Sequence, residues 1–405
     1  MRSNDTIFAL STPRGKSAIA VFRISGSGAH KIVKKISSNK KTKINKTILN
    51  NIIDFKKKPI DQTITTYFKN PHSFTGEDMV EISCHGGTAV IDRITRLLVN
   101  GGLRIAEPGE FTRRSLENNK LDLINVEGLS DLINAKTEKQ REAAYNNYSG
   151  SLTNFLNLLS KKIKNMIANA EAIIDFADEE LPKNLLFKIK EQNRNIISSI
   201  EKTIETSKNF KAIKDGIKVS VIGKPNTGKS SFVNYVSKRD VSIVTSSPGT
   251  TRDLVESHVE ISGYQFIFVD SAGIRKHTNN IEKIGVSKAI KLANISDLNL
   301  VFLKNIEKKE YSKIKRKIFV RSKYDIIKGL KKDKGVKYIS SITGYGIKNL
   351  LNKIIKETLP KIDEEIPIIS RERQLNKIKN CLKQLKKIDL NGNLDMLAAD
   401  MRFAL

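Results

Sequence analysis

Residues Gly223 to Ser230 spell GKPNTGKS, preceded by the strand-like KVSVIG and followed by the helix-compatible SFVNYVS. A phosphate-cradling loop needs that order of strand, glycine-rich turn and helix start. Gly223 and Gly228 let the backbone curl closely enough for its amides to face phosphate oxygens, and the helix start adds partial positive charge. In this reading Asn226, Thr227, Gly228, Lys229, Ser230 and Ser231 surround a triphosphate. Lys229 neutralises the β- and γ-phosphates, and the Ser230 hydroxyl ligates magnesium.

A second strand-like run, YQFIFVD, delivers Asp270 at its carboxyl end, followed by Ser271, Ala272 and Gly273 as a DxxG turn. Asp270 can hold magnesium through water, and the Gly273 amide can meet the γ-phosphate. GTTRD, Gly249 to Asp253, is by itself only a polar turn. Between the other two motifs it reads as a switch loop in which Thr251 gives magnesium a second hydroxyl. Many GTPases place a water-orienting Gln directly after DxxG, but Ile274 stands there, and no arginine finger is identifiable, so another charge must assist hydrolysis.

Base recognition is expected from KIFVRSKYD. Lys323 stacks its stem on the purine, and Asp325 accepts from the ring NH and exocyclic amine of guanine. The usual NKxD is here Ser322, Lys323, Tyr324 and Asp325. A hydroxyl is shorter than a carboxamide and is not expected to make the same bridging contacts, so weaker binding rather than a changed base is predicted. Asp325 keeps guanine over adenine, because leaving buried donors unpaired costs roughly 1 to 3 kcal/mol. VKYISSITG supplies Ser340 and Ser341 as the last loop around the base.

These motifs need a sheet and helices to hold them. From Lys218 to Leu359 strand and helix patterns alternate, the signature of a parallel sheet with crossover helices. Before that stretch, Leu152, Phe155, Leu159, Ile163, Met166, Ala170 and Ile173 recur at helical spacing, as do Leu186, Ile189, Ile196, Ile200 and Ile204. After it, so do Leu375, Ile378, Leu382 and Leu385. Helices on both sides imply an α/β domain of about 150 residues inserted into a helical domain whose two parts pack together. From Asp5 to about Phe111, short β-like runs with an apolar helical stretch at Val90 to Leu98 suggest a separate compact α/β domain. The predicted limits are 1–115, 116–212, 213–362 and 363–405.

The 405 residues exceed one ordinary core. With 72 Lys and Arg against 43 Asp and Glu, the formal charge of +29 attracts polyanions such as RNA, although no charge run is sharp enough to name a site. Two distant cysteines, Cys84 and Cys381, support neither a disulfide framework nor a zinc site. No segment approaches the roughly 18 apolar residues of a membrane span, and a cytoplasmic protein is expected.

Several long motifs resemble, in order, the MnmE (TrmE) family of tRNA modification GTPases: NDTIFALSTPRGKSAIAVFRISG, SFTGEDMVEISCHGG, EPGEFTRRSLENNKLDL, AIIDFADEE, GKPNTGKSSFVN, PGTTRD, DSAGIR and IEKIG. The resemblance covers nearly the whole chain. It implies an aminomethyltransferase-like N-terminal α/β domain that forms a homodimer, a discontinuous helical domain and an inserted Ras-like P-loop GTPase domain. It also implies potassium activation, with Asn226, Thr245, Ser247 and Thr250 holding the ion, and Ser246, Pro248 and Gly249 completing that loop around the nucleotide. A cation there offsets charge developing on the bridging oxygen, and Glu282 positions the attacking water indirectly. Arg23, Glu81 and Lys120 match the family's contacts to formyl- or methylene-tetrahydrofolate. The implied activity is carboxymethylaminomethyl-type modification of the tRNA wobble uridine with a flavin- and NADH-dependent, MnmG-like partner in a heterotetramer. The family pattern ends in C-x-G-K, whereas this sequence ends at Leu405 within LAADMRFAL, so one expected folate lysine is absent from it and Cys381 lies too early to stand for the missing cysteine. Two other readings stand beside this one. An Era-like GTPase in ribosome assembly has SFTGED and PGEF against it, and a nonenzymatic folate- or RNA-binding scaffold with a decayed G domain draws on the Ser322 change.

Overall fold

The computed structural model describes residues 5–40, 43–175, 185–239, 255–270, 292–304, 308–327, 332–359, 366–388 and 401–403. They fall into two units, Met1–Glu127 and Gly128–Leu405.

The first unit runs β1 (Ile7–Leu10), β2 (Ile19–Ser25), α1 (Ala29–Lys35), β3 (Thr47–Ile53), β4 (Pro59–Phe68), β5 (Met79–His85), α2 (Thr88–Asn100), β6 (Arg104–Ile105) and α3 (Glu110–Glu117). Its sheet order is β3-β4-β5-β2-β1-β6, antiparallel except for the last pair. Side chains alternate across a strand, so Ala20, Phe22 and Ile24 of β2 are buried in the core while Arg23 lies on the opposite face. Ile91, Ile94, Leu97 and Leu98 of α2, spaced three and four apart, complete that core.

This unit holds a charge network centred on the buried Glu110 and Arg114. Glu110, with 1 % of its side chain exposed, accepts from Arg104 Nη2 at 2.6 Å and from Arg114 Nη2 at 3.1 Å. Arg114 also donates to Asp5 Oδ1 at 2.6 Å and to Glu77, and Ser25 Oγ donates to Glu77 Oε2 at 2.7 Å. The Arg104 guanidinium holds the Glu110 carboxyl down at about 2, against the opposing effect of burial.

Helix α4 (Leu123–Asn134) leads into the second unit, which continues with α5 (Glu138–Tyr148), α6 (Ser151–Asp175) and α7 (Leu185–Asp215). The predicted stripe on α6 is realised by Leu152, Leu159, Ile163, Met166 and Ala170, all buried. A second sheet follows: β7 (Ile217–Gly223), α8 (Lys229–Arg239), β8 (Val255–Ile261), β9 (Tyr264–Asp270), β10 (Leu298–Phe302), β11 (Lys317–Arg321), β12 (Val336–Tyr338) and α9 (Ile347–Thr358). The order is β12-β11-β10-β7-β9-β8, parallel apart from β8. The core on one face gathers Phe232, Phe266, Phe268 and Phe302, with Phe232 edge-on to Phe268 at 5.8 Å.

The chain then returns to the helices with α10 (Glu372–Lys387). Asn193 Nδ2 of α7 donates to Leu385 O at 3.3 Å, Ile369 N donates to Ser207 Oγ at 2.9 Å, and Arg371 pairs with Asp131 at 2.8 Å. These bonds join the helical parts across the inserted sheet domain. The β8–β9 hairpin touches the same body. Lys139 N donates to Gly263 O at 3.1 Å, Gln140 Nε2 donates to both Gln265 Oε1 and Lys214 O, and Tyr264 packs against Ala143 and Phe210.

Candidate active site

Strand β7 ends at Gly223 and α8 begins at Lys229, so GKPNTGKS is the turn between a central parallel strand and the helix that packs on it. A Cβ on Gly223 would strike the Phe302 carbonyl of the neighbouring strand, and Gly228 has φ +86°. Both positions therefore require glycine for the loop to close. Asn226 also lies in the left-handed region, at φ 59°, and is exposed at the rim.

Lys229 is buried, and its ammonium donates to the Gly223 and Lys224 carbonyls, at 2.9 Å each. The cation is thereby held over the loop that the motif assigns to phosphates. Thr227 Oγ1 donates to Lys224 O at 2.8 Å, which tightens the same turn. Ser230 Oγ donates to Asp270 Oδ2 at 2.8 Å, bringing a residue of α8 to the carboxyl end of β9. A hydroxyl and a carboxylate so juxtaposed are hard oxygen donors, the chemistry magnesium takes. No group of three or more His, Cys, Asp or Glu suited to a metal occurs among the described residues.

The residues expected to read the base converge from two further strand ends. Ser340 Oγ accepts from the amides of Ile342 and Thr343 and donates its single proton to Asp325 Oδ1 at 2.6 Å, which aims the carboxylate. Lys323 is exposed, with φ 58°. Ser322, not expected to make the same bridging contacts as a carboxamide, makes one contact to the phosphate loop. Its hydroxyl donates to the Thr227 carbonyl at 2.5 Å, and Gly228 approaches it so closely that a Cβ there would collide with Ser322. The close approach of the two loops lets the shorter side chain reach the Thr227 carbonyl. Two aromatics that the motifs did not single out complete the loop: Tyr324 stacks on Tyr345 with centroids 4.7 Å apart.

Thr245, Ser246, Ser247, Pro248, Gly249, Thr250 and Thr251, together with Ser271, Ala272, Gly273 and Glu282, lie outside the described residues. In the first unit, Arg23 and Glu81 are register partners on β2 and β5, and Arg23 donates to Glu81 Oε1 through Nε and Nη2 at 2.9 and 2.7 Å. The Arg23 guanidinium lies 5.1 Å from the Phe74 ring centroid. Lys120 is exposed, with its stem against Gly76 of the loop that carries Phe74. Phe74 was legible only as part of SFTGED; its place beneath Arg23 was not.

A parallel sheet with a phosphate loop at its carboxyl edge, an aspartate beside the loop's serine and a second aspartate aimed by Ser340 define the class: a P-loop GTPase. Residues 6–120 match the family model described as the GTP-binding protein TrmE N-terminus, and residues 123–405 match the MnmE helical domain. The tRNA modification GTPase MnmE of Fervidobacterium nodosum is 37% identical over 424 aligned residues, covering 99% of this chain and 92% of the relative. That of Aquifex aeolicus is 36% identical over 399, covering 95% and 89%. The G domain of the FeoB iron transporter of T. maritima overlays at a TM-score of 0.28 with 23% identity, covering 35% of this chain and 98% of that one, a likeness too loose to argue from. This chain belongs to the MnmE family of tRNA modification GTPases.

Proposed function

We propose that the chain is a potassium-stimulated GTPase that acts with a flavin-dependent, MnmG-like partner in carboxymethylaminomethyl-type modification of the tRNA wobble uridine, in the cytoplasm. The observation that carries this reading is Asn226. It is exposed on a left-handed turn of the phosphate loop, and its amide oxygen is the kind of hard donor a monovalent cation takes. Potassium would be held by Asn226 with Thr245, Ser247 and Thr250, and magnesium by Ser230 and Thr251 with Asp270 behind them. Held there, these ions would supply positive charge to the phosphoryl oxygens. Lys229 binds the β- and γ-phosphates after releasing the carbonyls it holds, Asp325 orients the base, and Glu282 orients the attacking water through an intermediary.

Tetrahydrofolate, carrying a formyl or methylene group, supplies the one-carbon unit when bound. Arg23 and Lys120 suit its carboxylates, and Glu81 suits the donor edge of its pterin. The domain limits 1–115, 116–212, 213–362 and 363–405 belong to this proposal. The homodimer through the N-terminal domain is supported by an apolar cross-strand pair. Leu49 and Ile64 face each other on the sheet surface that carries Arg23, at 64% and 48% exposure. The β8–β9 hairpin, which joins the GTTRD segment to Asp270 and rests on α5 at its far end, is the route by which hydrolysis reaches the helical body.

GTP turnover measured in potassium and in sodium at equal ionic strength tests the reading. We expect faster hydrolysis in potassium, and equal rates would overturn the cation assignment. Among the described residues, no helix is long and apolar enough to cross a membrane.

A further inference from the structure

The Ser322 hydroxyl has one proton, and it is given to the Thr227 carbonyl, so this side chain ties the base-reading loop to the phosphate loop and to nothing else through donation. A carboxamide in its place has two donor hydrogens and an acceptor, enough to reach a second loop as well. In this chain the connection between the Ser322–Asp325 loop and the Ser340–Gly346 loop must come from elsewhere. Three contacts supply it: Tyr324 N donating to Ile339 O at 3.0 Å, Ser340 Oγ donating to Asp325, and the Tyr324–Tyr345 ring stack.

The stack is itself braced. The two rings lie 20° from parallel, Tyr338 meets Tyr324 edge-on at 5.5 Å, and Tyr338 is fixed by bonds to Asp333. Lys332 donates to the Tyr345 hydroxyl at 2.9 Å, with its ammonium 5.0 Å from the Tyr324 centroid and 5.4 Å from that of Tyr345. An ammonium bonded to the Tyr345 hydroxyl and set beside both rings ties them together. Tyr324 sits between Lys323 and Asp325, the two residues that grip the base, so whatever fixes its ring fixes them.

From this geometry we infer that Tyr345 is a positioning residue for guanine nucleotide: by stacking on Tyr324 under Lys332 it holds Asp325 in place and sets how long the nucleotide stays bound. The inference rests on the GTP-binding reading of the site. The partner recognised is the guanine base, and Tyr345 acts on it through Tyr324.

The experiment compares release of fluorescently labelled GDP from the full chain, from Tyr345→Ala and from Tyr345→Phe, and repeats the binding with the inosine analogue, which lacks the exocyclic amine that Asp325 reads. Loss of an aromatic pair predicts release about fivefold faster in Tyr345→Ala, with the preference for guanine over inosine narrowed. Tyr345→Phe keeps the stack and should stay within about twofold of the parent. Tyr345 is 46% exposed, so melting temperature should change little. Unchanged release in Tyr345→Ala, or faster release with the guanine preference intact, would overturn the inference while leaving GTP binding standing. Failure of the unaltered chain to bind labelled GDP would overturn the site reading itself.

Discussion

Replacing Glu110 by Gln keeps the side chain's size and removes its charge, leaving Arg104 and Arg114 facing each other's neighbourhood without their shared anion. The carboxyl is held at about 2, against an ordinary value of 4.5, first by the Arg104 bond and then by the Glu107 amide, with burial working against both. A depression of about 2.5 units at about 1.4 kcal/mol each gives roughly 3 kcal/mol of stability at neutral pH. Because the folded value lies below the unfolded one, this contribution is complete above about pH 4.5 and drains away as pH falls toward 2. Asp5, lowered chiefly by the same Arg104, adds in the same direction. The variant should therefore be about 3 kcal/mol less stable at pH 7, and its deficit should shrink as the buffer is acidified. Urea titration of the full chain, followed by hydrogen exchange in peptides covering Ile7–Leu10 and Arg104–Ile105, reads the unit that contains the network. A deficit under about 1 kcal/mol at pH 7, or one that stays constant down to pH 2, would refute the reasoning.

Ser322→Ala strands the Thr227 carbonyl and should weaken GDP binding about tenfold, measured by titration of labelled nucleotide. Arg23→Ala leaves Glu81 without its guanidinium and should abolish binding of formyl-tetrahydrofolate in calorimetry while GTP turnover stays at the parental rate. Gln140→Ala cuts one of the bonds that tie the β8–β9 hairpin to α5, and wobble-uridine modification by a reconstituted system should fall while GTP hydrolysis holds. Parallel loss of both activities would argue against the hairpin route. Cys84 is buried, and burial pushes its thiol up to about 11, so alkylation of the folded chain at pH 8 should leave it unlabelled, as peptide mass mapping would show.

What the sequence made legible was local or periodic. GKPNTGKS is contiguous, so its loop could be read without knowing what packs on it, and the three-and-four spacing on α6 named five of its buried residues, although Phe155 and Ile173 of the same stripe are only half-buried and the buried Ile167 was not in it. The sheet could be placed because β7 and β9 each end on a motif residue, Gly223 and Asp270. What stayed hidden depends on contacts between distant residues. Ser322 meets Thr227 across 95 positions, and Arg114 meets Asp5 across 109, and no spacing rule links such pairs. The length of the Ser322 side chain does not reveal how near Gly228 lets the phosphate loop come to it.

Arg23 and Glu81 make the same point for the folate proposal. In the sequence they are two separate charges, each suited to one end of the ligand. Antiparallel register sets them opposite each other, and the guanidinium donates twice to one carboxylate oxygen over the Phe74 ring. A ligand that takes both must either accept them as a pair, leaving the second carboxylate oxygen to read its donors, or break a two-point ion pair to reach them. The pair is partly exposed, at 29% and 26% of the side chains, so water screens it and opening it costs less than it would in the core. The residues that the motif marks as separate contacts therefore act as one hinged unit, and substitution of either should disturb the other's part in binding.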